Sequence, residues 1–265
     1  MNIPLPKDVK INSDKGNKAQ IVIEPCYPGY GVTLGNSLRR ILLSSLEGGA
    51  ITAFKVKGVN HEFSHLPNVK EDLIEVILNL KAIRLKIFSD EPVTLNLKVK
   101  GEKEVKARDI EKNSSVEIAN PEQLICTVTD KSTELEIEFT AQKGHGYVTI
   151  EQRENEKVDI GVIKIDAIYT PMKNVGFEIE NVRVGDRTDY EKLVLNIETN
   201  GTITPEQALK DASQILVDHF TLINGGKVKE EKKVELKEKI EEKVNTEIVE
   251  EKTKKKRGRP KKEDK

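Results

Sequence analysis

The chain has 265 residues with 44 Lys and Arg against 45 Asp and Glu, so its length allows one large or two modest domains and its charge balance alone names no partner. Two cysteines, Cys26 and Cys126, are too few for a disulfide framework or a multi-thiolate metal site, and they suit a reducing compartment. No apolar run approaches the roughly 18 residues of a membrane span, and the start "MNIPLPKDVKINSDKGNK" has neither an apolar signal region nor an Arg-rich amphipathic pattern; the expectation is a soluble, cytoplasmic chain with no membrane partner.

In chain order, alternation of apolar and polar residues predicts short strands at 9–11 and 19–23, on either side of the turn-forming "NSDKGNK". The period then changes. In "TLGNSLRRILLSSLEGG" the apolar positions Leu34, Leu38, Ile41, Leu42 and Leu46 recur at helical spacing, with Thr33 placed to cap the start and Gly48-Gly49 to end it. Residues 51–63 read as strand again, with a hairpin turning near Gly58. A second helix is expected over 68–87, capped by Asn68 with Glu71 completing the capping pattern, and burying Val69, Leu73, Val76, Leu80, Ala82 and Ile83. Further strands are expected at 93–99, 135–139, 163–169, 177–184 and 193–197. A third helix opens at "TPEQ", with Thr204 as cap, Pro205 at the first helical position and Gln207 closing a capping box. It buries Ala208, Leu209, Ala212, Ile215, Leu216 and Phe220, and Asn224-Gly225-Gly226 ends it.

Two short patterns invite a chemical reading. "HEFSH" fits the H-E-x-x-H of zinc peptidases, in which two His one helical turn apart hold the metal and the Glu acts as base. Pro67 pushes Leu66 out of the helical region, the hairpin pattern sets His61 and Glu62 on opposite faces of a strand, and only His145 and His219 remain as further His ligands; no metal site is expected. "GYGVTLG" resembles a phosphate cradle at a helix N-terminus, but no Gly-Lys-Ser/Thr follows and the glycines read better as a tight strand-to-helix turn. No catalytic constellation assembles, and no cofactor is implied.

The first and third helices both carry wide apolar stripes, which pack either on a sheet of the same chain or across two copies; periodicity leaves both open. The runs "PGYGVTLGNSLRRILLSSLEGGAIT", "GVNHEFSHLPNVKEDLIEVILNLKAI", "GHGYV" and "DRTDYEKLVLNIETNGTITPEQAL", in this order, closely resemble the amino-terminal domain of the bacterial RNA polymerase alpha subunit, from about residue 3 to 224. The resemblance implies an α+β fold of two subdomains. A discontinuous dimerisation subdomain of a sheet and two helices (1–51 and 181–225) would hold an inserted, mainly β subdomain (52–180). It further implies a homodimer whose interface draws on Leu34, Leu38, Ile41, Leu42 and Leu46 of the first helix and Leu209, Ala212, Ile215, Leu216 and Phe220 of the third. Arg39, Arg40 and Leu43 fall where the family engages the large beta and beta-prime subunits. The chain would then be a non-catalytic scaffold that starts assembly of the nucleotidyltransferase.

After Gly226 the sequence departs from the family, which usually continues into a compact DNA-binding domain. The stretch "KVKEEKKVELKEKIEEKVNTEIVEEKTKKKRGRPKKEDK" is too polar and short to bury such a core. Residues 226–253 read as a charged linker, helical or disordered. Residues 254–265 hold eight basic and two acidic groups, a net of +6, and resemble an AT-hook. Arg257 and Arg259 flank Gly258 for entry into a narrow minor groove, Pro260 follows, and Lys255, Lys256 and Lys261 are placed for phosphates of upstream AT-rich DNA. Two rivals are a free-standing dimeric AT-hook protein and the zinc peptidase.

Overall fold

The computed structural model describes residues 3–226 apart from 15, 60, 154–158 and 160. In chain order, β1 (Asp8–Asp14) and β2 (Lys18–Cys26) form a hairpin, then come α1 (Tyr30–Ser44) and β3 (Glu47–Val56). After an irregular stretch follow α2 (Leu73–Lys81), β4 (Leu85–Ile87), β5 (Val93–Lys100), β6 (Lys103–Lys106), β7 (Val116–Ile118), β8 (Leu124–Val128) and β9 (Glu134–His145). The chain continues through β10 (Tyr147–Val148), β11 (Val162–Lys164), β12 (Ala167–Ile168), β13 (Met172–Val184), β14 (Arg187–Thr199) and α3 (Pro205–Ile223). It divides into two units between Ser213 and Gln214, inside α3.

The first sheet is antiparallel, in the order β1-β2-β14-β13. Its register sets Ile23 beside Leu193 and Ile21 beside Leu195, and these four are buried on the face that carries α1. The opposite face is polar around a buried pair, Val22 and Val194: Lys10 pairs with Glu24, Lys18 with Glu198 and Lys192 with Glu180. This alternation lets an antiparallel sheet keep one side wet. The second sheet runs β5-β9-β3-β4-β7, with β11 on β3. Its core contains Phe54, Leu97, Ile125 and Phe139, together with Leu73, Val76 and Leu80 from α2. A fully buried Leu or Phe contributes roughly 1.5–3 kcal/mol, so this cluster gives the inserted sheet a core of its own.

Several sequence expectations change. The second helix is shorter, because its cap is Asp72, whose carboxylate accepts from Glu75 N at 2.7 Å. Asn68 instead takes a left-handed φ of 61°, and Leu85 to Ile87 is strand. Glu71 does not close a capping box; its carboxylate accepts from Thr127 N (2.6 Å) and Thr127 Oγ1 (2.8 Å), pinning the approach to α2 onto β8. The hairpin at Gly58 also fails: β3 ends at Val56, Gly58 turns with φ 87°, and the described residues of 59–72 form no strand. β6, β7 and β8 were not anticipated. The other predicted strands fall within observed ones, except that 163–169 is broken into β11 and β12. β13 pairs with β14 from Met172 onward, so the strand that the boundary at 180/181 would divide lies wholly in the first sheet.

Glu71→Ala would leave a half-buried amide and a threonine hydroxyl without their acceptor, and we expect it to lower the unfolding free energy by about 1–2 kcal/mol, read as a lower urea midpoint at unchanged slope.

Candidate functional site

The first helix begins earlier than its apolar period indicates. Its N-cap is Gly29, at φ 85° and with no capping side chain, and Thr33 Oγ1 donates back to Gly29 O at 3.1 Å. The glycines of "GYGVTLG" divide the work. Gly29 makes the left-handed turn, whereas Gly31 and Gly35 let the helix lie close on β13 and β14. A Cβ on Gly35 would stand 2.7 Å from Phe177 Cδ2 and 2.9 Å from Leu193 Cδ1. The N-terminal amides that suggested a phosphate cradle are already engaged: Gly29 N and Gly31 N donate to the two oxygens of Glu191, each at 2.8 Å.

Placed on the sheet in this way, α1 separates its residues by face. Leu38 and Leu42 are buried, as is Leu46 just beyond the helix, Leu34 and Ile41 are half-buried, and Arg39 and Arg40 are exposed beside Leu43, at 39%. In α3, Ala208 and Ala212 are buried and Leu209, Ile215 and Leu216 half-buried. Phe220 is 63% and Ile223 80% exposed, with Val217 and Leu222 also open. Leu38, Leu42, Leu46 and Ala212 are thus covered within a single chain, whereas Phe220 is open. Val32, Val217, Leu222 and Ile223 were missed by the sequence reading. The signal for Ile223 was there, since Leu216, Phe220 and Ile223 follow one another at spacings of four and three along the helix.

The "HEFSH" segment is neither helix nor strand. Ser64 N donates to His61 O at 3.1 Å in a turn, Ser64 Oγ lies 3.2 Å from His61 Nδ1, and Phe63 is 77% exposed. The segment is thus a turn rather than the strand expected, and it lacks the helical spacing of the two His that an H-E-x-x-H site uses. Among the described residues no group of three or more His, Cys, Asp or Glu could hold a metal ion. No described helix is long and apolar enough to cross a membrane. The residues of the basic motif, Lys255, Lys256, Arg257, Gly258, Arg259, Pro260 and Lys261, lie outside the described residues, as does the linker beyond Gly226.

Residues 53–170 match the family described as the RNA polymerase Rpb3/RpoA insert domain. The chain is also 45% identical over 223 residues to the DNA-directed RNA polymerase subunit alpha of Moorella thermoacetica, covering 84% of this chain and 71% of that protein. To the subunit of the same name from Desulfitobacterium hafniense it is 46% identical over 235 residues, covering 86% and 74%. The chain belongs to the DNA-directed RNA polymerase alpha subunit family. As an alpha-family chain it is part of the transcribing polymerase complex, and neither the peptidase nor the free-standing DNA-binding reading is favoured. The insert match begins within β3 and stops just before β13, so it coincides with the second sheet and the strands around it.

Both cysteines of this alpha-family chain are buried. Burial, and then the charge of Glu71, pushes the Cys126 thiol up to about 12; burial, and then the charge of Glu191, raises that of Cys26. Because the thiolate is the reactive form, native protein at about pH 8 should resist iodoacetamide at both positions and label at both after denaturation, as read by intact mass. Labelling of either in the native state would contradict the packing described.

Proposed function

We propose that this chain acts as the homodimeric scaffold of its RNA polymerase: two copies pair through α1 and α3, and the pair docks the beta and beta-prime subunits, which carry out nucleotide addition. The observation that carries the reading is the apolar row left open on α3, where Phe220 and Ile223 stand in solvent in a single chain. An isologous contact would cover that row and its twin together, removing four large side chains from water. Leu34, Ile41, Leu209, Ile215 and Leu216, half-buried in one copy, are the positions we assign to the margin of that contact.

Arg39, Arg40 and Leu43 form the face assigned to the large subunits. Their exposure supports this, as does the chemistry of Arg, whose planar fork can hold a carboxylate or carbonyl across an interface in a way that Lys cannot. In domain terms, the dimerisation subdomain comprises 1–51 and the return segment ending at 225. The full-length pairing of β13 with β14 supports moving that return from 181 to Met172. The basic tail, by its Arg-Gly-Arg-Pro sequence, is assigned to the minor groove of upstream AT-rich DNA.

Three outcomes are expected. Phe220→Glu places a charge in the apolar contact and weakens dimerisation by at least about a hundredfold, seen as a monomer in light scattering. Arg40→Ala keeps the dimer but loses most of its capture of beta in co-purification. Polymerase truncated after Gly226 shows a shortened footprint on promoters with an upstream A-tract and an unchanged one on promoters without; identical footprints on both would remove the tail from the reading.

A further inference from the structure

We propose that Glu191 is a positioning residue for the α1 surface: its carboxylate, seated between the amides of Gly29 and Gly31, fixes where α1 lies on β13 and β14. It thereby fixes where Arg39, Arg40 and Leu43 are presented. The inference rests on the reading that these three meet the large subunits.

The first turn of α1 has no acidic residue and no side-chain cap. Its leading N–H groups therefore need an acceptor from elsewhere, and the positive end of the helix favours an anion. Glu191 supplies it from 160 residues away in the sequence, with one oxygen on each amide. A two-point contact restrains both translation and rotation of the helix end, as a single bond does not. Gly31 is part of the device, because a Cβ there would stand 2.7 Å from Glu191 Oε2. So is the irregularity of β14: its register against β2 shifts between Glu191 and Leu193, and such bulges re-aim a side chain. The side chains on either side of Glu191 are committed elsewhere, Lys192 to Glu180 at 2.8 Å and Tyr190 in an edge contact with Tyr27, just beyond β2. From this anchor the helix runs rigidly for about 12 Å to Arg39, at 1.5 Å per residue, so a shift at the start is delivered to the docking face.

The test uses the full chain, reconstituted with beta and beta-prime, in the variants Glu191→Ala, Glu191→Gln and Arg40→Ala. Dimer state and thermal midpoint are measured beside capture of beta. Glu191→Ala should keep the dimer and weaken capture roughly tenfold, the scale of losing a charged helix cap. Added acetate, which can enter the vacated amide pair, should restore much of that loss in Glu191→Ala and leave the native chain unaffected, while chloride at equal ionic strength should do nothing. Glu191→Gln, with one neutral acceptor, should fall between. Native-like capture by Glu191→Ala beside a failing Arg40→Ala overturns the positioning role alone, and so does a loss that acetate does not relieve. Normal capture by Arg40→Ala overturns the docking reading beneath it. If Glu191→Ala does not fold, the isosteric Glu191→Gln decides: weakened capture in a folded dimer supports the proposal, and full capture ends it.

Discussion

The first sheet's outer surface depends on how closely α1 lies on β13 and β14. With Gly31 and Gly35 facing the strands, the helix sits where a Cβ would collide with Glu191, Phe177 and Leu193. That proximity drives Leu38 and Leu42 into the sheet. Since successive residues of a helix turn by about 100°, it also fixes Arg39, Arg40 and Leu43 on the side away from the strands. The arginines need no contact of their own to be held in place. Their geometry is inherited from two glycines and a carboxylate.

The inserted sheet is tied to this arrangement through β3, which leaves α1 almost at once and pairs with β9 from Glu47 to Val56. Near its start the packing is as tight as that under α1: a side chain on Gly48 would run into the carbonyl of Tyr169, and one on Gly49 would meet Leu85 O and Ile87. Ala50, Ala167 and Tyr169 form a small core beside this junction. Small residues on β3 therefore let the returning strands cross it closely before β13 rejoins the first sheet. The topology joins segments far apart in sequence, and glycines at the crossing points are what make the approach possible.

What could be read in the sequence follows from which forces were local. The stripes of α1 and α3 were legible because helix burial repeats every three to four residues whatever lies opposite. The start of α2 was misread because Asn68 and Glu71 imitate a capping pair, whereas a tertiary partner, Thr127, takes the Glu71 carboxylate and Asp72 caps in its place. The start of α1 was misread for the related reason that the carboxylate engaging its first amides, Glu191, lies far away in sequence on β14. β6, β7 and β8 are short and owe their existence to partners elsewhere in the chain, so local alternation gave little warning. In "GYGVTLG" the turn at Gly29 was foreseeable, but the use of Gly31 and Gly35 as contact points required knowing that a strand lay beneath.

Apolar periodicity reports that a face is buried, without saying by what. In α1 the structure divides the stripe: Leu38 and Leu42 are buried, Leu34 and Ile41 are half-buried, and Val32 and Leu43 are open. In α3 the division runs along the helix, from buried Ala208 and Ala212 through half-buried Ile215 and Leu216 to open Phe220 and Ile223. In an isolated chain nothing is gained from large apolar side chains at those open positions, where Lys or Glu has higher helix propensity than Phe or Ile and better solubility. Graded burial of this kind is invisible to periodicity, which marks an apolar stripe but not how much of it a single chain covers.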